Sequence, residues 1–402
     1  MNNDQTSVDV VIPSYRPDEK FSRLVKKLQE QEYPIGTIFV INTKAGRFPK
    51  EVEQMEKVKV SHIERREFDH GATRDMGMQM SKAEIVVFMT QDAVPADEYV
   101  IGNLVKVLEE DEMTGAAYAR QLAASDCNYI EKYTRKFNYP ENSRIKSKED
   151  LQEMGIKTFF CSNVCAAYKR NIYEKAGGFC KKTIFNEDMI LAGHMINAGY
   201  KVAYVAEARV IHSHNYTGMQ QFHRNFDLAV SQTMHPEIFE QISSEAEGMK
   251  LVKSTMKYLC SIGKPYLIFE LGIQCVGKYA GYRLGKRYKK LSRKQILKCT
   301  MSPEYWKRLW NQGMTIVELF LGAVILRFGM KAFWAIWAIW MFVTLVPAKL
   351  IENEALAAKM HQFGMQIGFG NIVQYLVVVG VIAAVIMAVL GWNFLKKQSV
   401  TV

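Results

Sequence analysis

The sequence lacks the motifs of several large enzyme classes. The 402 residues contain no Gly-x-Gly-x-x-Gly stretch and no Walker loop, which argues against a dinucleotide-dependent enzyme and a P-loop NTPase. The seven cysteines include no Cys-x-x-Cys pair and no Cys/His cluster at zinc spacing, so we expect reduced thiols in a cytosolic compartment. Residues 1–8 have no apolar core, and we expect no cleaved secretory signal. With 10 prolines and 49% hydrophobic residues, the chain is neither linker-dominated nor disordered.

Acidic residues are fewer than basic ones, and the imbalance is concentrated in one segment. The chain has 41 Asp and Glu against 52 Lys and Arg, a net charge of +11. Residues 278–298 contain nine basic residues and no acid. A block of this kind can bind nucleic acid, an anionic membrane or only water. Because two apolar runs follow it, we expect contact with anionic membrane lipids, and we expect no nucleic-acid partner.

Two apolar runs near the C-terminus predict a membrane region. Residues 367–395 contain no charged residue and no histidine, and they are long enough to cross a bilayer as one helix. The earlier run, residues 314–349, holds Glu318, Arg327 and Lys331. It is either a long or tilted span whose Arg327 and Lys331 reach the interface, or an amphipathic helix among the headgroups followed by a short span. We favour two spans. Because basic residues precede the first run and follow the second, both chain ends should face the cytoplasm, with the protein in the cell membrane.

The first 240 residues predict strands that alternate with helices. Runs rich in β-formers predict these strands: Val8–Ile12, Thr37–Ile41, Lys57–Ile63, Glu84–Met89, Gly115–Ala119, Lys201–Val205 and Arg209–Ile211. Apolar spacing predicts helices at Phe21–Leu28, Ala72–Met80 and Val100–Leu108. The alternation favours an α/β fold with a mostly parallel, Rossmann-like sheet. We therefore divide the chain into an α/β domain (1–240), a basic helical juxtamembrane segment (241–313) and a membrane region (314–402).

Polar side chains follow the predicted strands, where ligands bind in open α/β sheets. The residues concerned are Pro13, Ser14, Tyr15 and Arg16 after the first strand, Asn42 after the second, and Gln91 and Asp92 after the fourth. Each alone could be a cap or turn residue. Together they predict a ligand crevice, in which Tyr15 can stack on a base and Arg16 and Arg74 can bind phosphates. Asp92 is suited to hold a divalent metal against a diphosphate.

Three residues further along the chain have two interpretations each. Asp188 starts a predicted helix, so it is either an N-cap or a general base. His212 and His214 follow a strand at the spacing i, i+2, which points both side chains the same way in an extended segment. They are either structural hydrogen-bonding residues or metal ligands.

These residues resemble family 2 glycosyltransferases with the GT-A nucleotide-sugar-binding fold, over about residues 7–235. The resemblance rests on Val11–Tyr15, His70-Gly71 with Arg74, Thr90–Ala93, Gly177–Phe179, Glu187-Asp188 and His212–His214. Phe68–Gly71, Ser162–Tyr168 and His212–Tyr216 are in addition similar to bacterial rhamnosyltransferases. The sequence departs from the family pattern at Asn42, Thr90 and Cys180-Lys181, where acidic residues are usual.

The resemblance implies inverting transfer of a sugar from a nucleoside-diphosphate donor, with dTDP-L-rhamnose expected, to a lipid-linked glycan. It implies that Asp92 with His212 or His214 binds Mg²⁺ or Mn²⁺, which stabilises the leaving diphosphate. Asp188, beside Glu187, is the implied general base, and Ser162 and Asn163 are expected to contact the acceptor. One alternative is a polyprenyl-phosphate glycosyltransferase, whose acceptor needs no strong base. Another is a non-catalytic membrane scaffold of a polysaccharide assembly complex.

Overall fold

The computed structural model describes residues 5–240 and 245–311, and nine strands lie in this part of the chain. The strands are β1 (Val8–Tyr15), β2 (Ile38–Thr43), β3 (Val58–Ile63), β4 (Ile85–Met89), β5 (Val94–Pro95), β6 (Thr114–Leu122), β7 (Arg144–Lys146), β8 (Cys165–Lys169) and β9 (Lys201–Ile211). They form one sheet in the order β3-β2-β1-β4-β8-β6-β9-β5, and β7 pairs with β9.

Helices connect and cover the strands. They are α1 (Glu19–Gln29), α2 (Lys50–Glu53), α3 (His70–Met80), α4 (Val100–Glu110), α5 (Tyr129–Asn138), α6 (Leu151–Met154), α7 (Arg170–Lys175), α8 (Glu187–Asn197), α9 (Gly218–Met234), α10 (Pro236–Phe239), α11 (Glu245–Ser261), α12 (Leu267–Gly285) and α13 (Arg293–Cys299). Short 3₁₀ helices occur at Lys148–Asp150, Gly155–Phe159 and Tyr288–Lys290.

Helix α1 shows how apolar spacing in the sequence becomes packing. Asp18 caps it, and its side chain accepts hydrogen bonds from the N–H groups of Lys20 and Phe21. The apolar residues at i, i+3, i+4 and i+7 are all buried against the sheet: Phe21, Leu24, Val25 and Leu28. The predicted helix is therefore confirmed here, as are the strands predicted at β1, β2, β3, β4 and β6.

The sheet is mixed but mostly parallel, as predicted, because six of the nine strands in the described part of the chain (β1, β2, β3, β4, β6 and β9) run in one direction and three run against them. Strands β3, β2, β1 and β4 are parallel, but β8 runs antiparallel to both of its neighbours, β4 and β6. Strand β9 is parallel to β6, whereas β5 and β7 pair with it antiparallel. The sequence does not reveal β8, because its run of Cys, Ala, Ala, Tyr and Lys has no β-branched residue.

Strand β4 lies in the middle of the sheet and is buried on both faces, as its continuous apolar run predicts. Its five residues are at most 2% exposed. Val87 and Met89 pack on the face covered by α1 and α4, and Val86 and Phe88 pack on the face covered by α8. Because both faces are covered, the carboxyl ends of the strands are the part of the sheet open to a ligand.

Helices α9 and α12 pack at very short range. A Cβ atom added to α12 at Gly277, Gly281 or Gly285 would collide with backbone carbonyl oxygens of α9. The glycine repeated every four residues therefore lets the two backbones approach along about two helical turns. Residues 245–306 belong to the same compact unit as the sheet.

The two predicted domain boundaries, at 240/241 and 313/314, stay predictions, because each lies at or within residues outside the described part of the chain. Across residues 5–240 and 245–311, every helix is too short or too polar to span a bilayer. The two predicted spans, within 314–349 and 367–395, lie outside the described residues.

Candidate active site

The predicted base, the predicted metal ligands and the predicted acceptor contacts line one cavity of about 500 Å³. Asp92 follows β4, Gln121 lies near the end of β6 and His212 follows β9, so carboxyl ends of three strands meet there. The predicted site residues in its lining are Arg74, Asp92, Ser162, Asn163, Glu187, Asp188, His212 and His214. The structure therefore brings these eight residues together at one cavity.

Asp92, His212 and His214 form a compact group of potential metal ligands. One ligand atom from each lies within 4.8 Å of the others. The carboxylate oxygens of Asp92 lie 3.6 Å from His212 Nε2 and 3.3 Å from His214 Nε2. The two Nε2 atoms face each other at 3.0 Å. One carboxylate and two imidazoles therefore point at a common centre.

Gln121 orients His212 for this role. Its Oε1 lies 3.0 Å from His212 Nδ1 and also accepts a hydrogen bond from the Arg135 guanidinium. Since Arg135 can only donate and Gln121 Oε1 can only accept, Nδ1 of His212 must carry the proton. The lone pair of His212 is therefore on Nε2, which faces Asp92 and His214.

The electrostatic surroundings keep both imidazoles neutral. Burial lowers the pKa of His212 well below its usual value, and nearby Arg135 lowers it further. Burial also lowers the pKa of His214, although Asp92 opposes this effect. Neutral imidazole is the form that binds metal, so the group fits a divalent cation. A set with two nitrogens and one oxygen suits Mn²⁺ better than Mg²⁺, which prefers oxygen ligands.

The other wall of the cavity holds two neighbouring acids in different environments. Glu187 forms a buried ion pair with Arg74, at 3.1 Å. Asp188 accepts hydrogen bonds from the backbone N–H groups of Asn163 (2.9 Å) and Met189 (2.8 Å). The N-cap of α8 is Asn186, so the interpretation of Asp188 as the N-cap is wrong.

These environments separate the pKa values of the two acids. Burial opposes ionisation of Glu187, but Arg74 and then His70 hold its pKa below the usual carboxyl value. Burial raises the pKa of Asp188, and the negative charge of Glu187 raises it further. Two acids whose pKa values are pushed apart can take different roles, and the acid with the raised pKa can exchange a proton near neutral pH.

Asn163 and Ser162 fix the positions of Glu187 and Gln121 through hydrogen bonds. The Asn163 side chain is 2% exposed, donates to Glu187 Oε1 at 3.2 Å and accepts from the Tyr168 hydroxyl at 2.9 Å. Ser162 Oγ accepts from Gln121 Nε2 at 3.0 Å, which links the acid wall to the metal-ligand wall. Their predicted contact with an acceptor stays a prediction.

Apart from Arg74 and Asp92, the predicted donor-side residues form a second cluster, outside the lining of the cavity. Ser14 Oγ donates to Asn42 Oδ1 at 3.1 Å. The backbone of Tyr15 exchanges two hydrogen bonds with the Gln91 side chain, at 2.8 and 3.0 Å. Arg16, at a positive φ of 49°, places its guanidinium 5.3 Å from the Tyr15 ring centre. The cluster comprises Pro13, Ser14, Tyr15, Arg16, Asn42 and Gln91, and the Gln91 bond joins it to the loop that carries Asp92.

Arg224 and Lys278 are two cationic residues of the cavity that sequence reasoning missed. The other arginines of the lining are paired, Arg74 with Glu187 and Arg135 with Glu131. Within the described residues, no carboxylate forms an ion pair with Arg224 or Lys278. Arg224 stacks instead on Phe185, at 4.6 Å from the ring centre. Unpaired cations in a cavity attract anionic ligands such as diphosphates.

Replacing Glu187 tests the buried ion pair. Glu187→Gln leaves the Arg74 guanidinium buried without its counter-charge, so we expect a loss of about 3–5 kcal/mol in the free energy of unfolding. The surface variant Glu30→Gln removes an exposed partner of Lys27 and should cost much less, because solvent screens that pair. Urea denaturation of the full chain in detergent measures both. Equal losses in the two variants would show that the Arg74–Glu187 pair contributes no more than a surface pair.

Several solved structures of glycosyltransferases are distantly similar. One is the mannosyltransferase PcManGT from Pyrobaculum calidifontis in complex with GDP-Man and Mn²⁺, with 15% identity, a TM-score of 0.44, and coverage of 76% of this chain and 88% of that chain. Another is S. aureus TarS 1-349 in complex with UDP-GlcNAc, with 10% identity, a TM-score of 0.43, and coverage of 71% and 91%. With TM-scores below 0.5, no role is transferred from them.

The sequence similarities are closer. Residues 9–177 match the profile of Glycosyl transferase family 2. The O-antigen chain rhamnosyltransferase RfbN of Salmonella typhimurium is 34% identical over 305 residues, which cover 75% of this chain and 96% of RfbN. The O-antigen chain rhamnosyltransferase WbaN of Salmonella anatum is 33% identical over 306 residues, with the same coverage. From these similarities, which extend over nearly the whole length of both relatives, the chain belongs to glycosyltransferase family 2 and is rhamnosyltransferase-like.

Proposed function

We propose that this chain is an inverting, metal-dependent glycosyltransferase that moves L-rhamnose from dTDP-L-rhamnose to a hydroxyl group of a lipid-linked glycan. The observation that carries the proposal is the shared cavity, which Asp188 lines together with the group of Asp92, His212 and His214. The similarity to two O-antigen chain rhamnosyltransferases supports the choice of rhamnose.

In this proposal Asp188 is the general base. One of its carboxylate oxygens takes the proton of the acceptor hydroxyl while the hydroxyl oxygen attacks the anomeric carbon of the donor. The bond from that carbon to the diphosphate oxygen breaks, and the diphosphate leaves with the electron pair. Because the nucleophile attacks from the face opposite the leaving group, the anomeric configuration inverts.

The surrounding residues orient the Asp188 carboxylate and neutralise the negative charges of Glu187 and the leaving diphosphate. The N–H groups of Asn163 and Met189 fix the Asp188 carboxylate, and Arg74 neutralises Glu187 beside it. Asp92, His212 and His214 would hold a divalent cation, with Mn²⁺ preferred over Mg²⁺, which when bound neutralises charge on the leaving diphosphate. Arg224 and Lys278 add positive charge to the same cavity and favour binding of the anionic donor.

We place the enzyme at the cytoplasmic face of the cell membrane, anchored by two spans. This placement rests on the apolar runs within 314–349 and 367–395 and on the basic residues of 278–298. A lipid-linked glycan would then be presented in the same membrane, in the synthesis of a cell-surface polysaccharide.

Thermal unfolding of the full chain with a panel of nucleotide sugars tests the donor. A ligand at 100 times its Kd stabilises the folded state by about 2.7 kcal/mol, so the correct donor should raise the melting temperature measurably. We expect the largest rise with dTDP-L-rhamnose and Mn²⁺ together, and a smaller one with dTDP-L-rhamnose alone. In Asp92→Asn, Mn²⁺ should add nothing to the rise in melting temperature that the donor causes alone. A larger rise with GDP-mannose or UDP-GlcNAc would contradict the assignment of rhamnose.

A further inference from the structure

Helix α12 presents an exposed apolar face. Phe269 is 79% exposed, Val276 70% and Tyr279 63%, and Ile273 between them is 50% exposed. Spacings of three and four residues put these side chains on one side of the helix. Large apolar side chains that are exposed in a contiguous stripe mark a surface that binds a partner or a membrane.

The opposite face of the same helix reaches the cavity. Lys278 on that face lines the cavity, and Gly277, Gly281 and Gly285 on the flank between the two faces pack against α9. Lys278 is two positions after Val276, which is about 200° around an α-helix. Helix α12 therefore separates the cavity from the exposed stripe by only its own diameter, about 10 Å.

Positive charge surrounds the stripe. Towards the C-terminal end of α12 its exposed side continues into Arg283, Lys286 and Arg287. The neighbouring helix α11 packs against α12 and exposes Lys250, Lys253 and Lys257 beside Met249 and Met256. The one exposed acid of α12 is Glu270, which accepts a hydrogen bond from Gln274 at 3.2 Å. An apolar stripe between cationic residues is the pattern of a helix that lies in a membrane interface.

We propose that the exposed faces of α11 and α12 rest on the anionic lipid surface of a bilayer and hold the cavity beside the lipid headgroups. A lipid surface can bind both the basic and the apolar side chains. The anionic headgroups neutralise the lysines and arginines, while the acyl chains cover Phe269 and Val276. A nucleic acid would neutralise the basic side chains but leave the apolar side chains exposed to water. The sequence also continues from the basic segment into the predicted spans, so a bilayer is close along the chain.

This surface deepens the proposed function in one respect, the delivery of the acceptor. A lipid-linked glycan has its diphosphate at headgroup level and its sugars just above. If α12 lies on the bilayer, Lys278 and the cavity lie about one helix diameter above it, at the level of these sugars, and the acceptor needs no extraction from the membrane to reach Asp188.

Photo-crosslinking of the full chain in nanodiscs tests the contact without requiring activity. The photo-reactive p-benzoyl-phenylalanine replaces Phe269 or Val276, and the control position is Met113, which is 44% exposed at the opposite end of β6. We expect lipid adducts at 269 and 276 in discs of phosphatidylglycerol, at least about fivefold fewer in phosphatidylcholine, and none at 113. Crosslinks from 269 to residues 312–402 or to another protein copy, or no adduct at all, would overturn the proposal.

A second variant measures the consequence for transfer. Phe269→Glu combined with Val276→Glu should lower transfer to a lipid-linked acceptor in phosphatidylglycerol discs by at least about tenfold. Donor hydrolysis and transfer to a soluble acceptor analogue in detergent should be unchanged, because neither residue touches the cavity. Equal transfer to the lipid-linked acceptor by both proteins would overturn the delivery role. Absence of any transfer by the unsubstituted chain, with lipid adducts still present, would instead refute the proposed function and leave the membrane contact standing.

Discussion

Asp188→Asn should reduce the rate of sugar transfer about 10²–10⁴-fold, because the amide cannot take the proton of the acceptor hydroxyl. Two backbone N–H groups hold the present carboxylate, and one of these bonds can persist to the amide oxygen, so the local structure should survive. The donor's KM should change little, since Asp188 is not a member of the metal-ligand group. Steady-state kinetics with saturating Mn²⁺ and acceptor measure both parameters.

The control is Glu112→Gln, the same exchange of carboxylate for amide at an exposed position before β6, at the end of the sheet away from the cavity. It should transfer sugar at the rate of the unsubstituted chain. If Asp188→Asn did so as well, the general base would be elsewhere. Activity of that variant on bare polyprenyl phosphate would select the polyprenyl-phosphate glycosyltransferase, whose acceptor is already ionised.

The pH profile gives the same assignment a second readout. A general base works deprotonated, so kcat/KM should fall as the pH drops through the pKa of Asp188. Because burial and then Glu187 raise that pKa, the fall should occur above the ordinary aspartate value of about 3.9. The residual activity of Asp188→Asn should lack this acidic limb, whereas Asp188→Glu should keep it.

Removal of the divalent cation should reduce transfer about 10²–10³-fold, the usual cost of losing one electrostatic stabiliser of a charged transition state. Asp92→Asn and His212→Ala should show the same loss at ordinary Mn²⁺ concentrations, because each removes one of three ligands. Activity after treatment with EDTA should return with Mn²⁺ at lower concentration than with Mg²⁺, since two of the ligands are nitrogen atoms. Metal titrations of initial rates provide these values.

Replacing Gln121 should weaken metal binding without removing a metal ligand. Gln121→Leu removes the acceptor that fixes His212 Nδ1 as the protonated nitrogen, so half-maximal activity should need about 10–100-fold more Mn²⁺. The rate at saturating Mn²⁺ should be largely kept. Full activity of Asp92→Asn or of the EDTA-treated enzyme, without added metal, would contradict the role of this group.

Local patterns were sufficient to predict much of the architecture. The apolar run of β4 predicts a strand buried on both faces, and the apolar spacing of α1 predicts its buried side. For β4 and α1 a single segment carries the information. Asp92 and His212 each follow a strand, so both could be expected at the carboxyl edge of the sheet, where ligands bind in such folds.

Features that depend on distant partners could not be predicted in this way. Strand β8 lacks β-branched residues and exists because β4 and β6 pair with it. Arg74 resembles a phosphate ligand in the sequence, but its guanidinium pairs with Glu187, which is far along the chain. Gln121 follows a predicted strand in the sequence, and only the neighbouring His212 and Arg135 reveal what it does.

Crystals of the full chain grown with dTDP and Mn²⁺, with diffraction data collected at the manganese absorption edge, test the central claim most directly. We predict one anomalous peak, coordinated by Asp92, His212 Nε2, His214 Nε2 and diphosphate oxygens, with the Asp188 carboxylate across the cavity and not bound to the ion. A peak at Glu187 and Asp188, or bound dTDP with no metal at Asp92, would contradict the account.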